Sequence, residues 1–167
     1  MSFIDKLNFS IIEQRIKKTY SIRFKKYGTT PKGVFWKNTF TQDLRLEMII
    51  NIVLSFKNLK NAIFCDVGCG YGRLFQKLQS HHLILKKFHY YGIDINNDFI
   101  NHCITNLSGK NVFFEKSASL DKVTDFTIMS GTYNLCTMDN ISIWEKYLSS
   151  NLKSSWVNTK RAMIFNL

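Results

Sequence analysis

Three closely spaced glycines are the clearest chemical feature of this chain. Gly68, Gly70 and Gly72 follow the apolar segment 62–67 and precede a segment with helical periodicity. Glycine permits a sharp turn and lets the main chain lie directly against a ligand, because no side chain intervenes. The N-terminus of the following helix adds free N–H groups that can bind an anionic part of that ligand. The pattern predicts a loop that binds a nucleotide-like cofactor.

Two further residues narrow the choice of cofactor. Asp94 ends the next apolar segment, 22 residues after Gly72, which is the distance expected of an acid that accepts hydrogen bonds from both ribose hydroxyls. Loops that bind dinucleotides favour the spacing GxGxxG or GxGxxA, which needs a small residue at position 73. Arg73 occupies that position, so the spacing disfavours a dinucleotide.

The loop resembles motif I of the class I S-adenosylmethionine-dependent methyltransferases, in which an acid, here Asp66, precedes GxGxG. The resemblance implies S-adenosylmethionine as the cofactor, with Asp66 near its methionine moiety, Asp94 on its ribose and Ile95 against its adenine. After the third strand the family commonly has an acid that reads the adenine amino group, which a serine hydroxyl or the Ala118 backbone would have to replace here. The cofactor-binding residues implied by these motifs are Asp66, Gly68, Cys69, Gly70, Gly72, Asp94, Ile95, Ser117 and Ala118.

The segment 125–134 is similar to a small bacterial group of this family. Its end, Ser130-Gly131-Thr132-Tyr133-Asn134, looks like that group's SG-x-[FY]-N loop, which borders the donor and acceptor sites. The resemblance implies that Ser130 and Gly131 contact the cofactor. Acceptors are expected at the carboxyl ends of the strands, and the residues predicted to face the substrate there are Tyr133, Asn134 and Asn166.

The segment 26–45 looks like the N-terminal part of the same group. By this resemblance, Gln42 or Arg45 is expected to approach the carboxylate of the methyl donor. A guanidinium pairs with a carboxylate through two hydrogen bonds, which suits Arg45 to this role. An arginine on an amphipathic helix is also often a simple surface charge, so both interpretations of Arg45 stay open.

The residues before position 62 are predicted to form two helices. The first is amphipathic and is expected to cover the sheet or the cofactor site as a lid rather than bind a membrane; its apolar residues are Ile4, Leu7, Ile11, Ile12, Ile16 and Tyr20. Thr41 is expected to cap the second helix, which should run to about Leu59. Its predicted buried residues are Leu44, Met48, Ile49, Ile52 and Phe56.

From residue 62 onward, strands alternate with helices. Strands are predicted over 62–67, 88–94, 112–116, 125–130 and 161–167, and helices over 73–79, 97–107 and 141–156. This order predicts a parallel sheet with helices on both faces. We therefore expect one α/β domain over 1–167, of the Rossmann-like, doubly wound type, in which a helical extension (1–61) precedes the core (62–167).

The family resemblance implies a sheet of seven strands in the order 3-2-1-4-5-7-6, of which this chain supplies about five. The fifth strand would then present an apolar edge, which favours pairing with another chain or cover by the N-terminal segment. We expect either a shortened family member or a homodimer that completes the sheet.

Composition limits the other functional classes. The longest apolar run, Met48–Phe56, is shorter than the roughly 20 residues that span a bilayer, and the N-terminus lacks the layout of a secretory signal. Both observations predict a cytoplasmic protein without membrane contact. The four cysteines contain no CxxC pair and are predicted to be reduced thiols, with no metal site.

Positive charge is concentrated in the first 61 residues. They contain 12 Lys+Arg and 4 Asp+Glu, and so carry +8 of the net charge of +11. A basic surface of this kind could face an anionic acceptor or RNA, or it could be a solvated lysine-rich face.

The leading hypothesis is an S-adenosylmethionine-dependent methyltransferase that acts on a small polar acceptor. A sugar or glycan precursor is chosen by family analogy alone. The second hypothesis is a catalytically weak module that binds the cofactor or a partner, and the third is an RNA methyltransferase. No residue is predicted to act as a general base, which a direct methyl displacement does not always need.

Overall fold

The computed structural model describes residues 2–81, 88–107 and 109–166. In these residues the α-helices are α1 (Phe3–Tyr27), α2 (Thr39–Leu54), α3 (Arg73–Ser80), α4 (Asn97–Asn106) and α5 (Ile141–Val157). The strands are β1 (Ala62–Val67), β2 (Phe88–Asp94), β3 (Val112–Lys116), β4 (Thr124–Ser130) and β5 (Thr159–Asn166). A short 3-10 helix, Pro31–Val34, lies between α1 and α2. None of the helices in these ranges is long and apolar enough to cross a membrane.

The five strands form one sheet in the order β3-β2-β1-β4-β5, and every neighbouring pair is parallel. β1 pairs with β2 over its whole length, from Ala62 opposite Phe88 to Val67 opposite Ile93. Because parallel strands all end at the same edge, the residues that follow β1, β2, β3 and β4 are brought together there. The predicted Rossmann-like fold and the order of its strands are confirmed.

Alternate residues of the strands pack into two separate cores, as expected of a sheet that is covered on both faces. On one face, α2 and α3 cover Phe64, Tyr90 and Phe126. On the other face, α1 and α5 cover Cys65 and Met129. The helices therefore hold β1, the strand that leads into the glycine loop, from both sides.

The predicted strand bounds agree closely with the structure. β1, β2 and β3 have the predicted bounds, while β4 begins one residue earlier and β5 two residues earlier than predicted. Thr124 is paired with Thr159, and this pairing extends both strands toward their N-terminal ends. The predicted last residue of the fifth strand, Leu167, lies outside the described residues.

The prediction for α2 was wrong in its cap and its end. Asn38, and not Thr41, caps the helix, because the Thr41 backbone N–H donates to Asn38 Oδ1 at 2.9 Å. The helix ends at Leu54 instead of Leu59, and Asn58 soon afterwards has a φ of 55°, which is incompatible with a continuing right-handed helix.

The predicted buried face of α2 is confirmed for Ile49 and Phe56, which belong to or pack against the core, and wrong for the other three residues. Leu44, Met48 and Ile52 are 50%, 59% and 45% exposed. Apolar residues surround most of this helix, so their periodicity does not define one face. The residues that α2 buries are Gln42, Leu46, Ile49, Ile50 and Val53.

The prediction for α1 holds for its middle and fails at its start. Ile12 is fully buried, whereas Ile4 and Leu7 are exposed. Aromatic packing of α1 against α5 includes Phe9, whose ring centre lies 5.1 Å from that of Tyr147. In the first turn the buried residue is the polar Asp5, which pairs with Lys146 of α5 at 2.6 Å. Glu13, next to Ile12, is half-buried, and this burial raises the pKa of its carboxyl.

Candidate functional site

A cleft opens where the parallel strands end. Its wall contains most of the predicted cofactor-binding residues and one of the predicted substrate-facing residues. The predicted residues that line it are Asp66, Gly68, Cys69, Gly70, Asp94, Ile95, Ser117, Ala118, Ser130, Gly131 and Tyr133. Gly72, Arg45, Asn134 and Asn166 do not line the cleft.

The three glycines all require the backbone conformation that only glycine adopts easily. Gly68, Gly70 and Gly72 have φ values of 75°, 55° and 82°. A Cβ on Gly68 would lie 2.5 Å from the side chain of Thr132, and a Cβ on Gly72 would collide with Leu107. Positive φ and close packing thus both exclude larger residues at these two positions.

Asp94 links the end of β2 to the glycine loop. Its Oδ2 accepts from the Gly70 backbone N–H at 3.0 Å, and its Oδ1 accepts from the Asn96 backbone N–H at 2.8 Å. Each carboxylate oxygen can accept a second hydrogen bond, so Asp94 can still bind two donors from the cleft. Burial raises the pKa of Asp94 to about 6, although the backbone N–H donors act in the opposite direction.

Asp66 provides a second buried carboxyl in the same cleft. It is 3% exposed, and its Oδ2 accepts from the Tyr90 hydroxyl at 2.7 Å. Burial raises the pKa of Asp66 to about 7, and the neighbouring charge of Asp94 adds to this effect. Two carboxyls on one wall give the cleft an acidic floor, which suits a positively charged ligand.

Ser117 and Ala118 lie after β3, beside the floor. The Ser117 N–H donates to the Asp94 backbone oxygen at 3.1 Å, and the Ser117 hydroxyl donates to the Ser119 backbone oxygen at 2.7 Å. Its proton is therefore used within the loop, and its oxygen also accepts from the Ser119 backbone N–H at 3.4 Å, so one lone pair remains to meet a ligand. Ile95 and Phe99 add apolar surface to the same part of the cleft.

Helix α1 forms one wall of the cleft through Ile16 and Tyr20. Asn96, which is 2% exposed, fastens the helix there: its Nδ2 donates to the Lys17 backbone oxygen at 3.3 Å and to Ser21 Oγ at 3.1 Å. Helix α1, the predicted cover of the cofactor site, is thus hydrogen-bonded to Asn96, and the backbone N–H of Asn96 in turn donates to Asp94.

Trp36 also lines the cleft. A Cβ on Gly131 would lie 3.3 Å from the Trp36 ring, so glycine at this position lets the indole approach the loop after β4. The guanidinium of Arg45 lies over the indole, 5.2 Å from the ring centre, and its side chain is exposed. The structure thus places Arg45 behind Trp36, while the neighbouring candidate Gln42 lines the cleft.

The three predicted substrate-facing residues have different positions. Tyr133 lines the cleft, and burial raises the pKa of its hydroxyl, so the hydroxyl keeps its proton near neutral pH. Asn134 is exposed. Asn166 braces the loop after β4, because its Oδ1 accepts from the Gly131 N–H at 3.0 Å and its Nδ2 donates to Ser130 Oγ at 3.2 Å.

Sequence reasoning missed several residues of the site. Asn96, Trp36, Phe99 and Tyr147 line the cleft, and none was predicted as a site residue. Asn96 has a recognisable signal, because an asparagine between an acidic strand end and a helix is a typical N-cap; its Oδ1 accepts from the Asp98 N–H at 2.8 Å. The others depend on packing between distant segments and have no local pattern.

Comparisons with known proteins agree with this geometry. A family model described as a methyltransferase domain matches residues 58–150. A curated protein of Mycobacterium tuberculosis (strain ATCC 25618 / H37Rv), provisionally named methyltransferase Rv1506c, is 26% identical over 102 residues. The match covers 60% of this chain and 60% of that protein, so it spans about three fifths of the relative's length.

Two solved structures have a similar fold. The magnesium protoporphyrin IX methyltransferase ChlM of Synechocystis PCC 6803, with bound SAM, is 16% identical with a TM-score of 0.56, over 86% of this chain and 71% of that one. The plantazolicin methyltransferase BpumL, in complex with a pentazolic desmethylPZN analogue and SAH, is 17% identical with a TM-score of 0.57, over 96% of this chain and 58% of that one. At these identities the likeness concerns the fold alone.

Proposed function

Because this chain belongs to the methyltransferase domain family, we propose that it transfers a methyl group from S-adenosylmethionine to a small polar acceptor. S-adenosylmethionine is the cofactor of this family. The observation that carries the proposal is the direct hydrogen bond between the glycine loop and the acid of β2, from Gly70 N–H to Asp94 Oδ2 at 3.0 Å. This hydrogen bond joins the glycine loop to the acid that is predicted to bind ribose, and so brings the two predicted parts of a nucleoside site together in one cleft.

The residues of the cleft fit the chemical groups of this cofactor. Asp94 has two acceptor positions left for ribose hydroxyls, and Ile95 and Phe99 offer apolar surface for an adenine ring. The acidic floor formed by Asp66 and Asp94 suits the positive sulfonium and ammonium groups. We propose these contacts as the way in which the chain holds the cofactor.

When bound, the cofactor supplies an electrophilic methyl group on a positively charged sulfur. The chain itself has to align the acceptor and exclude water, which can account for much of the rate of a direct displacement. Ile16 and Tyr20 of α1 and the indole of Trp36 all line the cleft. We assign the exclusion of water to these three side chains.

A sugar or glycan precursor is our preferred acceptor. Aromatic side chains combine an apolar face with a polar edge, and Tyr20, Trp36, Tyr133 and Tyr147 all line the cleft. Thr132 also lines the cleft, but it is less available to bind an acceptor, because its hydroxyl already donates to the Val67 backbone oxygen at 2.6 Å. The Tyr133 hydroxyl, which keeps its proton, would donate a hydrogen bond to the acceptor and not remove its proton.

Titration calorimetry with S-adenosylmethionine and S-adenosylhomocysteine tests the cofactor site. Wild type should bind both, and Asp94→Ala should weaken binding by about tenfold or more, because hydrogen bonds to a charged group are lost. Asp139→Ala is the matched control, since Asp139 is exposed and lies outside the cleft. No binding to wild type, or equal binding to Asp94→Ala, would contradict the proposal.

A transfer assay with methyl-labelled cofactor tests the acceptor. Labelled product should form with monosaccharides, sugar phosphates or nucleotide-linked sugars and should depend on Asp94. Cofactor binding without transfer to any acceptor in a cell extract would instead favour a module that binds the cofactor without turnover. This alternative is motivated by Ser117 and Ala118, which stand where the family commonly has the acid that reads adenine. Labelling of RNA, with binding that falls steeply as salt rises, would favour an RNA acceptor.

A further inference from the structure

The charges of the cleft leave one group of the proposed donor unmatched. If the proposed function is correct, the acidic floor faces the positive groups of S-adenosylmethionine, whose amino-acid end also carries a carboxylate. Among the described residues that line the cleft, Arg73 has the one positively charged side chain. Its Nε and Nη2 donate to the two carboxylate oxygens of Asp43 at 2.9 and 2.7 Å, so this charge is already paired. The donor carboxylate therefore has to be bound mainly by neutral N–H groups.

Gln42 offers such a group. It lies in the first turns of α2, is 4% exposed and lines the cleft. The Tyr71 hydroxyl donates to Gln42 Oε1 at 2.9 Å, which turns the amide oxygen toward Tyr71 and leaves the NH₂ group for another partner. Side-chain amides have two N–H donors, and both are still free of the hydrogen bonds that the described residues make.

The amide nitrogen of Gln42 must reach open space. Among the described residues, one buried side-chain polar atom lacks a hydrogen-bond partner, and it is Thr137 Oγ1. No hydrogen bond among the described residues uses the Gln42 amide nitrogen, and this nitrogen is not a buried atom without a partner. Because Gln42 lines the cleft, that space is the cleft itself.

We propose that the Gln42 amide donates to the carboxylate of the methyl donor, and that Tyr71 is the positioning residue that keeps the amide in this orientation. Tyr71 is 3% exposed and directly follows Gly70, so its hydroxyl is fixed by the same loop that binds Asp94. The loop thereby orients both the ribose-binding acid and a carboxylate-binding amide.

Decarboxylated S-adenosylmethionine provides a direct test, because it lacks only the group that Gln42 is proposed to bind. Calorimetry should show that Gln42→Leu weakens the binding of S-adenosylmethionine by about tenfold, the loss expected for a hydrogen bond to a charged group. Binding of the decarboxylated analogue should change less than twofold. Gln14→Leu, the same change at an exposed helical position outside the cleft, should leave both affinities unchanged.

Gln42→Glu tests the orientation of the amide. A carboxylate at position 42 should repel the donor carboxylate and so weaken the binding of S-adenosylmethionine more strongly than Gln42→Leu does. The decarboxylated analogue should bind to this variant at least as tightly as it binds to wild type. Equal losses for both donors, or tighter binding of S-adenosylmethionine to Gln42→Glu, would overturn the assignment. Failure of wild type to bind either donor would instead contradict the proposed function itself.

Tyr71→Phe tests the positioning role while it retains the buried ring. Without the hydroxyl, the amide can rotate, so S-adenosylmethionine should bind about threefold less tightly and the preference for it over the decarboxylated analogue should narrow. If the hydroxyl had a purely structural role, its loss would weaken the binding of both donors by the same factor and leave the preference for S-adenosylmethionine unchanged. Circular dichroism confirms that each variant is folded before it is titrated.

Discussion

Burial sets the protonation of the two acids on the floor of the cleft. Water is a far better solvent for a carboxylate than the protein interior is, so burial favours the neutral form. This effect raises the pKa of Asp94 to about 6 and that of Asp66 to about 7. Both acids therefore change charge close to neutral pH, unlike an ordinary aspartate.

The affinity for the positively charged donor should consequently depend on pH. Only ionised Asp94 can accept hydrogen bonds from both ribose hydroxyls with both oxygens, so S-adenosylmethionine should bind about tenfold more tightly at pH 7.5 than at pH 5. Calorimetry across this range measures the effect. Asp94→Asn should bind weakly with a shallower pH dependence, and an unchanged profile in this variant would contradict the assignment to Asp94.

The stability of the ligand-free protein should change with pH in the opposite sense. An acid whose pKa is raised in the folded state binds more protons there than in the unfolded chain. Stability therefore falls as pH rises from about 4, the pKa in the unfolded chain, to about 7, the pKa of folded Asp66. Chemical denaturation should show this decrease in wild type and a smaller one in Asp66→Asn.

The turn at Gly68 should tolerate no side chain. Gly68→Ala adds a methyl group that meets Thr132 2.5 Å away, at a φ of 75°, and should destabilise the protein by about 1–3 kcal/mol. It should also weaken cofactor binding, because the loop shifts. Adding Thr132→Ser to this variant removes one of the clashing groups and should restore part of the lost stability, as measured by thermal denaturation. No recovery would mean that the backbone conformation alone causes the destabilisation.

Among the elements, α1 is hydrogen-bonded to the floor of the cleft through the side chain of Asn96. Asn96→Ala removes the hydrogen bonds to Lys17 and Ser21 together with the cap on the Asp98 N–H, and should cost about 1–3 kcal/mol. Hydrogen exchange should become faster in the middle of α1 while the protection of β1 is retained. Asn106→Ala is a suitable control, because Asn106 is exposed and hydrogen-bonds within its own helix. Equal exchange in both variants would show that α1 is held by packing alone.

The buried face of α2 can be tested with two neighbouring positions. Leu46 is 4% exposed and Met48 is 59% exposed, so Leu46→Ala should destabilise the protein by about 2–5 kcal/mol and Met48→Ala by less than about 0.5 kcal/mol. Chemical denaturation of the two variants measures the difference. The face inferred from the sequence would give the reverse order for these two residues.

Elements with strong local signals were predictable from the sequence. β1, β2 and β3 are short apolar runs with a clear boundary, such as the glycine loop after Val67, and their bounds were found correctly. The glycines and Asp94 were recognisable because backbone geometry and ligand chemistry restrict those residue types. The faces of α1 and α2 were not, since Leu44 and Leu46 are equally apolar and only the packing against the sheet selects one of them.

At the scale of the whole molecule, β5 is the outermost strand of the described sheet on one side. Phe165 on this strand is 44% exposed, and unpaired strand edges tend to recruit further strands. We expect a homodimer in which this edge is covered. Sedimentation at several concentrations tests this expectation: a dimer that Phe165→Lys dissociates would support it, and a monodisperse monomer at all concentrations would contradict it.

Under the proposed function, the acidic floor also bears on how a catalytic cycle ends. Methyl transfer converts a positively charged sulfonium into a neutral thioether, so the attraction to Asp66 and Asp94 weakens at the moment when the reaction is complete. The spent cofactor should then leave faster than unreacted donor does. Buried carboxyls that help to capture the substrate would thus also limit inhibition by the product.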